Sequence, residues 1–352
     1  MKVLTVVGAR PQFVKAAAVS RVLRKTACEI MVHTGQHYDA RMSQIFFDEL
    51  KIPQPEYNLE VGSGHHGQQT GEMLQRLEPI LGKEMPDWVM VYGDTNSTLA
   101  GALTASKLHI PVVHVEAGLR SFNRRMPEEI NRVLTDHISD LLFCPSNVAV
   151  ENLAKEGITN GVYEVGDVMA DALQYAVKSA GESPEILSRL KISPKQYLLA
   201  TVHRAENTDN PERMAAILKA FASVEDIILF PVHPRTKKVL LSQGLTVSPN
   251  VVMIEPVGYI EMAALEKNAR MIMTDSGGVQ KEAYWLGIPC ITLRDETEWV
   301  ETVDSGWNQV VGVDEGKILF YIHEFQIPDT HIPLYGCGEA SQNVVKLMLN
   351  YK

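Results

Sequence analysis

Cysteine is scarce in this chain. Cys28, Cys144, Cys290 and Cys337 form no C-x-x-C and have no paired histidine spacing. That removes the zinc-site and disulfide-framework readings, and it points to a reducing cytoplasm. Long apolar runs are also missing. No stretch approaches the ~18 residues of a membrane helix. The apolar segment Val3–Val7 is interrupted by Gly8-Ala9-Arg10-Pro11, unlike the core of a secretion signal. Basic charge is in deficit: 33 Lys and Arg against 43 Asp and Glu leave a formal net charge of −10. Such a surface disfavours nucleic acid and anionic membranes as partners. A small anion stays open, provided cationic groups are gathered in one place. The Walker A pattern G-x-x-x-x-G-K-[ST] is absent.

What is present is a chain of 352 residues, 45% hydrophobic and 22% charged. This is ordinary for a globular protein and long enough for about two domains. Short β-branched runs alternate with helix-period stretches from end to end. The strand candidates are Val3–Val7, Ile30–His33, Trp88–Tyr92, Val112–Val115, Leu141–Cys144 and Val162–Val165, then Leu198–Val202, Ile227–Val232, Val251–Ile254, Met271–Thr274 and Cys290–Leu293. Helical patterns such as Gln12–Arg24, Gln68–Leu81, Asn96–Leu108, Pro211–Ala222, Ile260–Lys267 and Val279–Leu286 lie between them. Near-continuous apolar strands alternating with helices predict an α/β fold of parallel βαβ units. So many strands suit two doubly wound, Rossmann-like domains facing a cleft better than one sheet. The predicted boundaries are 1–166, 167–337 and a final helical segment at 338–352.

In open parallel sheets, ligands sit beyond the carboxyl ends of the strands. The segments following strands are therefore the informative ones. Gly8-Ala9-Arg10-Pro11-Gln12-Phe13-Val14-Lys15 joins a tight turn to a helix N-terminus, with Arg10 and Lys15 adding positive charge, and reads as an anion site. Gly62-Ser63-Gly64-His65-His66-Gly67 matches G-x-G-x-x-G literally but sits far from the first βα turn. It reads as a loop, and no NAD site is inferred. Asp94, in Gly93-Asp94-Thr95, either caps the following helix or does chemistry. Glu116 ends an apolar strand, where a carboxylate is costly unless paired or used. Glu128 and Glu129, after Pro127, suit the first turn of a helix. Three acidic sites on one rim, Asp94, Glu116 and Glu128, exceed what helix starts require.

The second half offers a different set. His203-Arg204 and His233-Pro234-Arg235 follow strands. Asp275-Ser276-Gly277-Gly278 is a strand end, a turn and a helix start, a phosphate cradle of amides and a hydroxyl. Glu282 lies one helical turn further, placed to accept from ribose hydroxyls. Carboxylates in one half and a phosphate and ribose site in the other suggest a nucleotide-sugar, with chemistry on the sugar.

Taken in order, these motifs, together with His114-Val115-Glu116-Ala117-Gly118-Leu119-Arg120 and His203-Arg204-Ala205-Glu206-Asn207, resemble the non-hydrolysing UDP-N-acetylglucosamine 2-epimerases along essentially the whole chain. The resemblance implies the GT-B glycosyltransferase-type architecture, a tail helix packed on the N-terminal domain, a homodimer, and neither metal nor redox cofactor. By motif, Asp94, Glu116 and Glu128 match the catalytic carboxylates. Arg10, Lys15 and His203 match residues near the diphosphate, with Lys15 and His203 also counted among the catalytic groups. Ser276, Gly277 and Gly278 match the phosphate loop, and Glu282 matches the ribose contact. Arg204 and His233 fall on the nucleotide side, and Arg132 falls near the acids.

Such enzymes would expel UDP from C1 while removing the C2 proton, giving a 2-acetamidoglucal. UDP is then readded with proton delivery to the other face. Each face needs an acid or base, hence several carboxylates. Two departures bear on regulation and substrate. Where regulated members carry Arg-Gln-Thr, this chain has Gly67-Gln68-Gln69-Thr70, which puts allosteric activation in question, although Gln36-His37 is kept. The basic loop with Arg124 and Arg125, and Trp299-Val300 in place of Arg-Pro, resemble the branch acting on UDP-2,3-diacetamido-2,3-dideoxyglucuronate. There, an arginine would meet the uronate carboxylate. The competing classes are a GT-B glycosyltransferase using a UDP-sugar donor and a non-catalytic UDP-sugar-binding regulator.

Overall fold

A computed structural model describes residues 1–36, 49–232 and 234–351. The chain forms two compact units, Met1–Tyr175 with Tyr335–Lys352, and Ala176–Leu334. Each is built on one all-parallel sheet.

The first unit contains β1 (Lys2–Val7), β2 (Cys28–His33), β3 (Tyr57–Asn58), β4 (Trp88–Tyr92), β5 (Val112–Val115), β6 (Leu141–Cys144) and β7 (Val162–Glu164), in the order β3-β2-β1-β4-β5-β6-β7. The central strands are buried throughout except at Lys2, which opens β1, as the apolar runs require of a sheet covered on both faces. One side of the sheet packs Leu4, Val6, Val89 and Val91 against Met73, Leu77 and Ala102 of flanking helices. The last helix, Ala340–Asn350, packs against helix Arg10–Leu23. Asp171 holds its start, accepting from the amides of Ala340 and Ser341 at 3.2 and 2.9 Å.

The second unit repeats the scheme with β8 (Tyr197–Thr201), β9 (Ile227–Pro231), β10 (Val251–Ile254), β11 (Met271–Thr274), β12 (Cys290–Thr292) and β13 (Asn308–Val310), ordered β10-β9-β8-β11-β12-β13. Its apolar core gathers Leu198, Ala200, Phe221, Phe230, Met273 and Ile291.

Both sheets reverse direction of growth at one place, between β1 and β4 in the first and between β8 and β11 in the second. A crevice opens at such a switch point, because the loops after the two adjacent strands turn to opposite faces. The segments after β1, β4, β8 and β11 carry Arg10, Asp94, His203 and Ser276 respectively.

Candidate functional site

In the first unit, the candidates gather around Gly93. Glu116 leaves β5 in the left-handed region, at φ 72°. That conformation is strained for a residue with a side chain, and it marks a position held by its surroundings. Its carboxylate pairs with the ammonium of Lys15, which comes from the second turn of helix Arg10–Leu23. Burial works against the charge on Lys15, but Glu116, with Asp167 and Asp94 further off, outweighs it and holds the ammonium above its ordinary value. A Cβ at Gly93 would stand 3.1 Å from the Glu116 carboxylate and 3.4 Å from Lys15 Nζ, so glycine leaves room for the pair.

The next residue, Asp94, does not cap its helix. That role belongs to Thr95, whose Oγ1 accepts from the Thr98 amide. The Asp94 carboxylate pairs instead with Arg132 of helix Pro127–His137.

Lys15, Glu116, Asp94 and Arg132 are thus brought together. Glu128 is exposed at the second position of the same helix, one turn before Arg132, and among the described residues no hydrogen bond or ion pair joins it to the others. Its neighbour Glu129 is buried and accepts from the amides of Ser121 and Phe122 at 2.9 and 2.8 Å. It fixes one end of the loop carrying the exposed Arg124 and Arg125.

The expectation for the first helix N-terminus needs correcting. The amides of Gly8 and Ala9 are not offered to an anion. Both donate to Gln12 Oε1, at 2.8 and 3.0 Å, and the Gln12 amide nitrogen is bound in turn to the Tyr92 carbonyl and Thr98. The positive charge there comes from the side chain of Arg10, exposed at the helix start, and from Lys15 behind it. Gly62–His65 is irregular, but His66 and Gly67 already belong to helix His66–Glu84, so the glycine pattern ends inside a helix. Gln36 accepts from the amide and hydroxyl of Ser97, and Gln69 accepts from Asn96. His37 lies outside the described residues.

In the second unit, Asp275 is the hub. It is fully buried at the end of β11, and its carboxylate accepts from the amides of His203 and Arg204 at 3.1 and 3.0 Å and from Asn207 Nδ2 at 3.1 Å. The turn after β8 is thereby tied to the one after β11. The His203 ring stays nearly half exposed, and Arg204 is exposed. Ser276 stands at the N-terminal boundary of helix Gly277–Leu286 in an extended conformation, its side chain making no capping hydrogen bond, and Gly278 lies at the surface. The first amides of that helix have no intrahelical carbonyl to bond, which suits an anion. A Cβ at Gly277 would fall 2.8 Å from the indole nitrogen of Trp299. Glu282 is largely buried and accepts from the Tyr259 hydroxyl at 3.0 Å. Behind it, Glu266 hydrogen-bonds Glu282. Burial first, then the charge of Glu282, pushes the Glu266 carboxyl well above the ordinary range. His233 lies outside the described residues.

Two further groups escaped sequence reasoning. Asp275 ends an apolar strand just as Glu116 does, and that signal could have found it. His114 and Asp136 gave less sign. His114 is fully buried in β5, its Nδ1 2.7 Å from Asp136 Oδ1 and its Nε2 2.7 Å from the Gly93 carbonyl. Arg120 and the Gly118 amide donate to the other Asp136 oxygen, at 2.7 and 3.2 Å. Burial raises the Asp136 carboxyl, but His114 and then Arg120 pull it down further, to below its usual range.

No group of three or more His, Cys, Asp or Glu suited to a metal ion occurs among the described residues. Among them, too, no helix is long and apolar enough to cross a membrane.

Comparison with known proteins agrees in scope with these observations. The family model described as UDP-N-acetylglucosamine 2-epimerase matches residues 21–349. The chain is 56% identical over 356 residues to a UDP-N-acetylglucosamine 2-epimerase homolog of Methanococcus maripaludis, covering 99% of this chain and 100% of that one. It is 49% identical over 359 residues to the UDP-2,3-diacetamido-2,3-dideoxy-D-glucuronate 2-epimerase of Pseudomonas aeruginosa, covering 99% of each. Among solved structures, UDP-GlcNAc 2-epimerase of Methanocaldococcus jannaschii in complex with UDP-GlcNAc and UDP is similar at a TM-score of 0.87 and 45% identity, over 99% of each chain. With these likenesses, the two parallel-sheet units fall in the GT-B class.

Proposed function

The chain belongs to the UDP-N-acetylglucosamine 2-epimerase family, a family of isomerases, and from that premise we propose that it inverts C2 of a UDP-2-acetamido sugar by eliminating and readding UDP. The observation that carries the reading is the cluster around Gly93, where two carboxylates, Glu116 and Asp94, are each held by a cation, Lys15 and Arg132.

The C2 hydrogen is not α to a carbonyl in the ring, so its simple removal as a proton is unfavourable. Elimination avoids this. The C2–H electrons form the C1–C2 double bond as the C1–O bond breaks, and UDP leaves with the electron pair. One carboxylate takes the proton. On return, the C1–C2 π electrons take a proton from an acid on the opposite face of C2, and the UDP oxygen re-forms the C1–O bond with its electron pair. Glu116 and Asp94 are assigned to these two tasks, and Glu128 is kept as the third acid by motif. Lys15 stays charged beside Glu116 and orients it. Charge growing on the departing diphosphate is met by Arg10, His203, Arg204, His233 and the Ser276-Gly277-Gly278 loop. Glu282 receives the ribose hydroxyls. The protein works as a cytoplasmic homodimer without a cofactor.

A second reading concerns the sugar. Arg124 and Arg125 stand exposed on a loop anchored by Glu129, and a uronate carboxylate would suit either guanidinium. The Pseudomonas relative is named for such a substrate. Both readings are tested in deuterated water with UDP-N-acetylglucosamine and with the diacetamido uronate, the epimers being resolved by NMR. Deuterium at C2 of product from one of them identifies the sugar. Its absence with both sinks the epimerase reading. Loss of activity in Arg124→Ala or Arg125→Ala on the uronate alone locates its carboxylate.

A further inference from the structure

We propose that His114 and Asp136 are positioning residues for the proton chemistry, acting as one buried clamp on the two loops that carry Asp94 and Glu116. The proposal rests on the epimerase reading and adds residues to it.

The clamp is visible in its bonds. Nε2 of His114 lies 2.7 Å from the carbonyl of Gly93, the residue before Asp94. Nδ1 lies 2.7 Å from Asp136 Oδ1, and the Gly118 amide, two residues after Glu116, donates to Asp136 Oδ2 at 3.2 Å. One carboxylate thus reaches the loop after β5 directly and the loop after β4 through one imidazole.

Both ring nitrogens lie 2.7 Å from an acceptor oxygen, so the one ring bridges Asp136 and the Gly93 carbonyl. Arg120 donates to Asp136 Oδ2 at 2.7 Å and also binds Glu156 at 2.7 and 2.8 Å, so Asp136 is held by a guanidinium as well as by the imidazole. Every side chain in this network except Glu156 is essentially out of solvent.

Glu116 explains why a clamp is needed. Its φ of 72° is a backbone state it would leave if the flanking chain were loose. The Gly93 carbonyl fixes the opposite wall, where a Cβ would already stand 3.1 Å from the Glu116 carboxylate. A shift of about 1 Å in either loop misaligns the acid, and displacements of that size cost on the order of 100-fold in rate.

The test uses the full chain as Asp136→Asn and, separately, His114→Gln, each checked for folding by thermal melting. Wild-type protein is first assayed for C2 deuterium incorporation. If that fails, the epimerase reading fails by itself. If it succeeds, each folded variant is expected to lose roughly 10- to 100-fold in kcat, while KM and calorimetric UDP affinity stay within about twofold, since neither His114 nor Asp136 is among the residues assigned to UDP. In a Glu116→Gln background, the Asp136→Asn loss should be smaller than in wild type, because the part of the clamp that acts through Glu116 is gone while the part that holds the Asp94 loop remains. If Asp136→Asn does not fold, His114→Gln carries the same expectation, the glutamine amide still reaching towards the Gly93 carbonyl. A folded variant of either kind with kcat within twofold of wild type overturns the proposal. So does a full multiplicative loss in the Glu116→Gln background.

Discussion

Lys15 and Glu116 lie 101 positions apart in the chain and form an ion pair against the Cα of Gly93. The pair brings the first helix to the end of the fifth strand, and Gly93 is the residue that makes space for it.

Gly93→Ala tests that arrangement. Gly93 has φ 62°, where a Cβ costs about 1–2 kcal/mol, and the new methyl would press on both members of the pair. The expected result is a lower melting temperature together with a kcat loss of about tenfold or more. A variant as active as wild type would separate this pair from the chemistry.

The phosphate loop is tested through UDP. Ser276→Ala should weaken UDP binding about tenfold by calorimetry, as expected for one hydrogen bond to a charged group. Asp275→Asn should weaken it too, because the carboxylate that shapes the His203-Arg204 turn is lost. Unchanged affinity in Ser276→Ala removes the loop from the site.

Glu266 makes stability depend on pH. In the folded chain it keeps its proton above the pH at which the unfolded chain releases it, near the ordinary value of 4.5. Its contribution to stability therefore declines as pH rises from that value towards the raised folded one. Glu266→Gln is neutral throughout and can still donate to Glu282. It should melt higher than wild type by a few degrees at pH of about 8, with the gap closing towards about pH 4. Parallel melting curves across that range would show that Glu266 is ionised.

The cysteines divide evenly. Cys28 and Cys337 are exposed, whereas Cys144 and Cys290 are buried. Burial pushes the Cys144 thiol up to about 12 and Cys290 higher still. A disulfide reagent at mildly alkaline pH should titrate two thiols in the native protein and four after denaturation. Rapid reaction of a third thiol in the native protein would contradict the burial.

Much of the fold was legible because apolar runs coincide with strands. Trp88–Tyr92, Val112–Val115, Leu141–Cys144, Val251–Ile254 and Met271–Thr274 match the observed strands residue for residue, as does helix Pro211–Ala222. Of these strands, all but the edge strand Val251–Ile254 are buried. Two short edge strands with polar residues were less legible: Tyr57–Asn58 lies inside the longer extended run expected at Tyr57–Val61, and Asn308–Val310 was missed. They exist because a neighbouring strand offers hydrogen bonds, and hydrophobic pattern does not report that.

The same division holds for the candidate site. Strand order in a parallel sheet places every post-strand residue on one edge, so Asp94, Glu116, His203 and Ser276 could be singled out along the chain with no partner in view. Pairing could not. Lys15 meets Glu116 across 101 positions, Arg132 meets Asp94 across 38, and Asp275 meets the His203 amide across 72. Those contacts depend on which helix packs beside which loop, and that is set by the packing of buried side chains from the whole unit. Linear order names the chemical groups, and folding chooses which charge faces which acid and which amides are already taken, as Gln12 takes those of Gly8 and Ala9.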